Sequence, residues 1–355
     1  DAKVSVSEST VKITDSQIKS LRRIKGLNSV SLRECWLTDR DVELIASMLK
    51  HSPVYYLELS RNQDIDDISP IAGLDNIKTL KLDSTAVSDI SPIAKMKNIS
   101  ELTLNSTPVT DLTPLRGMMS LTLLELRELG LSDIDFVTDL NSLRNLDIAG
   151  NQIEDISPLK DCPITVINIS DNQVKDISVL GDKDGLYIFY ANNNQISDIS
   201  ILKGKRTLGT LKAENNQISD VSSLYECTNL STLHLANNQI RDISSWTYLK
   251  KVMDLKINQN QIQDISVLSN MEKLIDLNLS DNQIEDISSL TGLNELRLVD
   301  LSNNKIRDIS PLAGHEGITV LLSGNQISDL KQLPEFYTLP VIDLSNNQIQ
   351  DITAL

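Results

Sequence analysis

Aromatic side chains are scarce, making up 3% of 355 residues, while 40% of the chain is hydrophobic. Its core must therefore be aliphatic. Cysteine is scarcer still. Cys35, Cys162 and Cys227 are odd in number and scattered, which excludes a disulfide framework and any zinc-ligand spacing. They are read as buried free thiols acting as small hydrophobes. No apolar run approaches the roughly 18 residues a membrane-spanning helix needs, so no membrane insertion is expected in this segment. The stretch "DAKVSVSEST" has neither a basic nor an apolar leader pattern, which leaves the compartment open. Basic residues are outnumbered, 33 against 49 acidic, for a net charge of −16. Nucleic acid and anionic membrane surfaces are poor partners for such a chain. The three histidines, His51, His234 and His315, stand in no metal or triad spacing, and no glycine-rich phosphate loop or nucleophile elbow is present. "DKDG" at 182–185 is too short for a calcium loop and reads as a turn. The expectation is a protein without cofactor or metal and without enzymatic activity.

What is present is repetition. "NNQISDIS" at 193–200 returns as "NNQIRDIS" at 237–244 and "DNQIEDIS" at 281–288. With the Asn before "QI" as a ruler, the slot falls at Asn151, Asn172, Asn194, Asn216, Asn238, Asn260, Asn282, Asn304, Asn325 and Asn347, in steps of 21 or 22. Backwards it falls on Leu129, Thr107, Thr85 and, after one inserted residue, Asn62, making fourteen repeats. Each repeat reads L-x-L-x-x-N-x-I-x-D-I-S-x-L, the leucine-rich repeat signature. The L-x-L is a short strand with both Leu inward. The Asn side chain satisfies backbone groups left by the turn and forms a ladder. The Asp four residues on, as in Asp155, Asp198, Asp242 and Asp286, is expected to cap a short 3₁₀ or α turn. Proline in that turn fits, since no donor is needed there. The fourteen capping Asp explain the acidity: without them 35 acidic residues face 33 basic ones.

The fold class expected is an α/β solenoid: a right-handed leucine-rich repeat horseshoe with a parallel concave β-sheet and short turns on the convex side. At "DISPI" (67–71, 89–93) and "DISPL" (155–159, 308–312) the array resembles the repeat domain of bacterial internalin-like surface proteins. The resemblance covers residues 54–355. It implies a solenoid on the bacterial exterior that binds a host or cell-surface protein through its concave sheet. An intracellular scaffold or regulatory subunit is the alternative, and carbohydrate or cell-wall binding a third reading.

Residues 1–53 are expected to form an N-terminal helical cap with an early irregular repeat, and 54–355 the array. "DSQIKSLRRIKGL" (15–27) reads as a helix, and Thr38 with Asp41 as a capping-box start to a second one carrying Val42, Ile45, Met48 and Leu49. At the other end the pattern stops within a coil, leaving Ile349, Ile352 and Leu355 uncovered, which predicts that the chain continues. Leu129 is expected to interrupt the ladder, and Phe189 to fill the space left by Ala191 and Ala213. Outward strand positions are richest between 188 and 258. Tyr190, Asn192, Lys212, Glu214, His234, Asp254, Lys256 and Asn258 are therefore the expected partner-binding residues, with an aromatic anchor, donors and both charges on neighbouring strands.

Overall fold

The computed structural model describes residues 2–7, 12–315, 317–330 and 341–351. It divides into two compact units, Asp1–Asn172 and Gln173–Leu355. The first holds β1 (Ala2–Ser7), α1 (Asp15–Ser20), β2 (Leu27–Arg33), α2 (Asp39–Leu49) and six three-residue strands. These are β3 (Tyr56–Glu58), β4 (Thr79–Lys81), β5 (Glu101–Thr103), β6 (Leu123–Glu125), β7 (Asn145–Asp147) and β8 (Val166–Asn168). The strands pair in chain order, all parallel. The second unit repeats the plan with β9 (Ile188–Tyr190), β10 (Thr210–Lys212), β11 (Thr232–His234), β12 (Asp254–Lys256), β13 (Asp276–Asn278), β14 (Leu298–Asp300), β15 (Thr319–Leu321) and β16 (Val341–Asp343). These too are consecutive and parallel. This is the leucine-rich repeat solenoid.

One coil shows why the sequence winds this way. Leu57, Leu59, Ile65, Ile68 and Ile71 are each at most 1% exposed, so every hydrophobic letter of the repeat faces the same interior. The ruler Asn binds neighbouring coils together. Asn238 donates from Nδ2 to the carbonyls of Ala213 (2.9 Å), Leu235 (3.1 Å) and Ala236 (3.2 Å), and its Oδ1 accepts the Ile218 N–H at 2.9 Å. Asn151, Asn172, Asn260, Asn282, Asn304, Asn325 and Asn347 bond in the same manner. Asn194 accepts the Val174 N–H at 2.9 Å, and Asn216 the Ile196 N–H at 3.0 Å. A buried amide that met one coil alone would leave carbonyls of the next coil unpaired. At Thr85 and Thr107 the hydroxyl bonds a carbonyl three residues back in its own coil. Leu129 is half-buried, and its backbone N–H donates to Asn151 Oδ1 of the following coil at 3.1 Å. Phe189 is fully buried, as are Ala191 and Ala213.

The Asp of each repeat differs in one detail from the expected cap. Asp155, Asp198, Asp242 and Asp286 accept the N–H two residues on, from Ser157, Ser200, Ser244 and Ser288, at 2.7–2.8 Å. The residue at the cap position of the 3₁₀ turn is the intervening Ile, as at Ile156, Ile199 and Ile287. The Asp thus closes an Asx turn one residue before the helical turn begins, because a 3₁₀ start leaves its first N–H within reach of that earlier side chain.

The N-terminal region departs more. α1 ends at Ser20, a 3₁₀ turn follows over Leu21–Arg23, and by Leu27 the chain is already in β2. Gly26, at φ +69°, makes the reversal. Residues Ala2–Ser7, with Val at every second place, form a strand beside β2. Thr38 N and Oγ1 both donate to Asp41 Oδ2, at 2.9 and 2.8 Å. The buried face of α2 is Val42, Ile45, Ala46 and Leu49, with Met48 half-buried. Ile352 and Leu355 lie outside the described residues.

Candidate functional site

The strands of the second unit set the residues expected to bind a partner in rows. Tyr190, Lys212, His234 and Lys256 occupy equivalent places on β9 to β12, each directly beside the next. Thr210, Thr232 and Asp254 form the row one pleat away on the same face. Side chains at equivalent sites of adjacent parallel strands touch, and here they do. The Lys212 ammonium lies 5.6 Å from the Tyr190 ring centroid, within cation–π range. His234 Nε2 is 2.7 Å from Asp254 Oδ2, and its Nδ1 is 3.7 Å from Glu214 Oε1. The imidazole is therefore strung between two carboxylates, with an ammonium-bearing residue on each side.

The His234 side chain is 5% exposed although it stands on the outward face. Burial lowers its pKa, and the Asp254 hydrogen bond opposes this only in part. The ring is neutral at pH 7, donating to Asp254. The other Asp254 oxygen, Oδ1, is shut off from water with no hydrogen-bond partner. A buried carboxylate oxygen left unpaired is costly.

Of the eight expected residues, five are in contact: Tyr190 with Lys212, and Glu214 and Asp254 with His234. Lys256 is in register beside them. Asn192 has a structural task, its Oδ1 accepting the Glu214 N–H at 2.9 Å. Asn258 is half-buried two residues beyond β12, and its carbonyl takes the Asn237 N–H at 3.0 Å.

Two further features lie outside the eight expected residues. Exposed apolar side chains also stand at the strand starts. Tyr187 (55% exposed) and Met253 (45%) stand there, and Leu298 (39%) opens β14. Tyr187 lies across Gly209, where an added Cβ would be 2.7 Å from the ring. An aromatic seven residues before a ruler Asn, facing Gly in the next coil, was the available signal. The first unit also carries a dressed face. Tyr56 and Ser31 hydroxyls donate to Glu58 (3.0 and 2.7 Å), Lys81 sits 5.9 Å from the Tyr56 ring, and Asp83 accepts from Thr103 and from the Asn105 N–H. Burial, then the hydrogen bond to Glu58, pushes the Tyr56 hydroxyl up to about 12. Its polar groups largely satisfy one another.

Among the described residues no three His, Cys, Asp or Glu could hold a metal ion, and no helix is long and apolar enough to cross a membrane.

Comparison with known proteins places the chain. The family described as Leucine Rich repeats (2 copies) matches residues 207–248 and 272–314. No curated protein matches. Among solved structures, an internalin, InlF, from Listeria monocytogenes is 30% identical, with a TM-score of 0.77 over 89% of this chain and 90% of that one. The leucine-rich repeat protein LIC12759 of Leptospira interrogans is 20% identical, TM-score 0.70, over 98% and 84%. The plant peptide hormone receptor RGFR1, solved in complex with RGF2, is 18% identical, TM-score 0.73, over 97% of this chain and 63% of the receptor. These last two likenesses are of fold alone. The class is a leucine-rich repeat solenoid, a scaffold for protein recognition. Within it, the chain belongs to the internalin-like leucine-rich repeat proteins.

Proposed function

We propose that this chain is a non-enzymatic recognition module, secreted or displayed on a bacterial surface, that binds a protein partner through the sheet face of its second unit. The observation that carries the reading is the His234 cluster, in which an aromatic–ammonium pair and a carboxylate–imidazole–carboxylate chain lie side by side. Tyr187 and Met253 add exposed apolar area at its border. Such a mixture is what interface hot spots use. Kinship with an internalin supports the exterior location.

The test is affinity capture with residues 1–355 from host-cell surface extract and, in parallel, from bacterial lysate. A Tyr190→Ala/Lys212→Glu/Lys256→Glu variant and a variant altered on the 3₁₀-turn side serve as controls. A single host protein held by wild type and by the turn-side variant, but lost with the triple variant, is expected. Capture from bacterial lysate alone points to an intracellular scaffold. Equal capture by all three proteins removes the sheet face from consideration.

A further inference from the structure

The first unit has an open cleft of about 460 Å³ beside its early coils, lined by Glu34, Trp36, Arg61, Gln63, Asp64 and Ser84. Its size falls within the range of small-ligand sites. Trp36 is 60% exposed, while Trp246, the other tryptophan, is fully buried. The backbone at Trp36 is unusual. Among the described residues fourteen non-glycine residues have positive φ, and thirteen of them, counting Glu34 before Cys35 in the slot of the early repeat, occupy the place just before the ruler slot, where the coil geometry requires it. Trp36, at φ +57°, stands just after the slot. A bulky aromatic residue is disfavoured in the left-handed region, where Asn or Gly fits. The conformation is nonetheless held firmly, because Asn62 Oδ1 accepts the N–H of Cys35 at 2.9 Å and of Leu37 at 3.0 Å, one on either side. The fold thus fixes a large ring in solvent without burying it.

Polar groups surround that ring. Glu34 Oε2 is closed off from water and lacks a hydrogen bond; its neighbour is the Arg61 guanidinium, Nη1 lying 3.5 Å away. Asp64 is placed by a backbone bridge to Thr38. Carboxylate and guanidinium offset each other, so the pair presents a planar acceptor and a planar donor fork with little net charge. That arrangement fits adjacent hydroxyls better than it fits an ion. The electron-rich ring face attracts the partially positive C–H groups of a flat polyol.

We propose that this cleft is a carbohydrate-binding site, in which a pyranose stacks on Trp36 and its hydroxyls bond Glu34 and Arg61, with Gln63 and Asp64 at the rim. The site lies in the first unit and does not depend on the partner reading of the second.

The experiment is saturation-transfer NMR on the full chain with methyl glycosides of glucose, galactose, mannose and N-acetylglucosamine, and with chitotriose. At least one sugar is expected to receive saturation at its ring C–H protons and to quench the exposed tryptophan fluorescence. Trp36→Phe should retain binding. Trp36→Asn should lose tenfold or more in affinity while its Tm rises by about 1–2 °C, because Asn tolerates the left-handed backbone. A merely structural tryptophan would not separate those two readouts. No transfer to any of the five sugars overturns the proposal, as does transfer that persists unchanged in Trp36→Asn.

Discussion

At the scale of single residues, two environments make opposite demands. The ladder Asn, buried except for the half-buried Asn216 and Asn347, spend their amides on backbone groups. Asn238→Ala takes the partner from the Ala213 carbonyl and from the Ile218 N–H, while the Leu235 and Ala236 carbonyls keep Asn260 Nδ2 and the Asn215 N–H, and should cost about 2–4 kcal/mol. The residue before each ladder Asn has a positive φ, and Gln259 at +53° carries the strain of a side chain there. Gln259→Gly should stabilise by about 0.5–1 kcal/mol. Urea midpoints of the two variants, at unchanged slope, check both signs. His234 is the third case. Its folded pKa lies below the unfolded one, so the unfolded chain binds more protons between those two values. Stability is therefore full above the ordinary histidine range and falls as pH drops through it. Asp254→Asn removes the interaction that favours the charged ring, so the midpoint should move lower still, as read from the imidazole C–H resonances. An upward movement would sink the account.

At the scale of the repeat element, twelve aspartates accept an N–H two residues on, from Asp67 through Asp308. At Asp242 the Ser244 hydroxyl and its N–H hold the carboxyl below the usual carboxylate range. Asp176, Asp220 and Asp264 are lowered by the same kind of bonds. A depressed folded pKa gives stability that is present above the unfolded value and lost as pH falls through the folded one. The acid limb of unfolding should therefore begin near pH 4 and continue below it. Ser244→Ala should raise the Asp242 carboxyl titration seen by ¹³C NMR and leave neighbouring coils unmoved. Asp242→Ala, on an exposed turn, should cost roughly 0.5–1 kcal/mol.

At the scale of the molecule, charge is the governing quantity. The chain carries −16, and much of it is stacked. Asp242 raises the pKa of both Asp220 and Asp264, a sign of repulsion along the column of turns. Salt screens such repulsion within about 10 Å at 0.1 M. Tm should climb by about 2–4 °C between 10 and 200 mM sodium chloride. A flat or falling Tm would show that the bonds of the aspartates within their own turns outweigh their mutual repulsion.

The sequence by itself determined the solenoid. Each repeat carries its strand, its ladder Asn and its turn Asp at constant spacing, and a local pattern repeated fourteen times leaves one way to bury the leucines. The rows on the sheet face were legible too, because strand alternation and a 22-residue step place Tyr190, Lys212, His234 and Lys256 side by side. Only the tertiary structure decided the rest. Ala2–Ser7 became a strand because β2 was there to pair with it, although its alternation of valine and serine was visible. The Asp moved one place from the cap because the turn is 3₁₀. His234 lost its water, and Asp254 Oδ1 its hydrogen-bond partners, through neighbours twenty or more residues away. Trp36 became an exposed plate because Asn62, in the next coil, pins the backbone on both sides of it. Such effects arise between coils, and no single repeat records them.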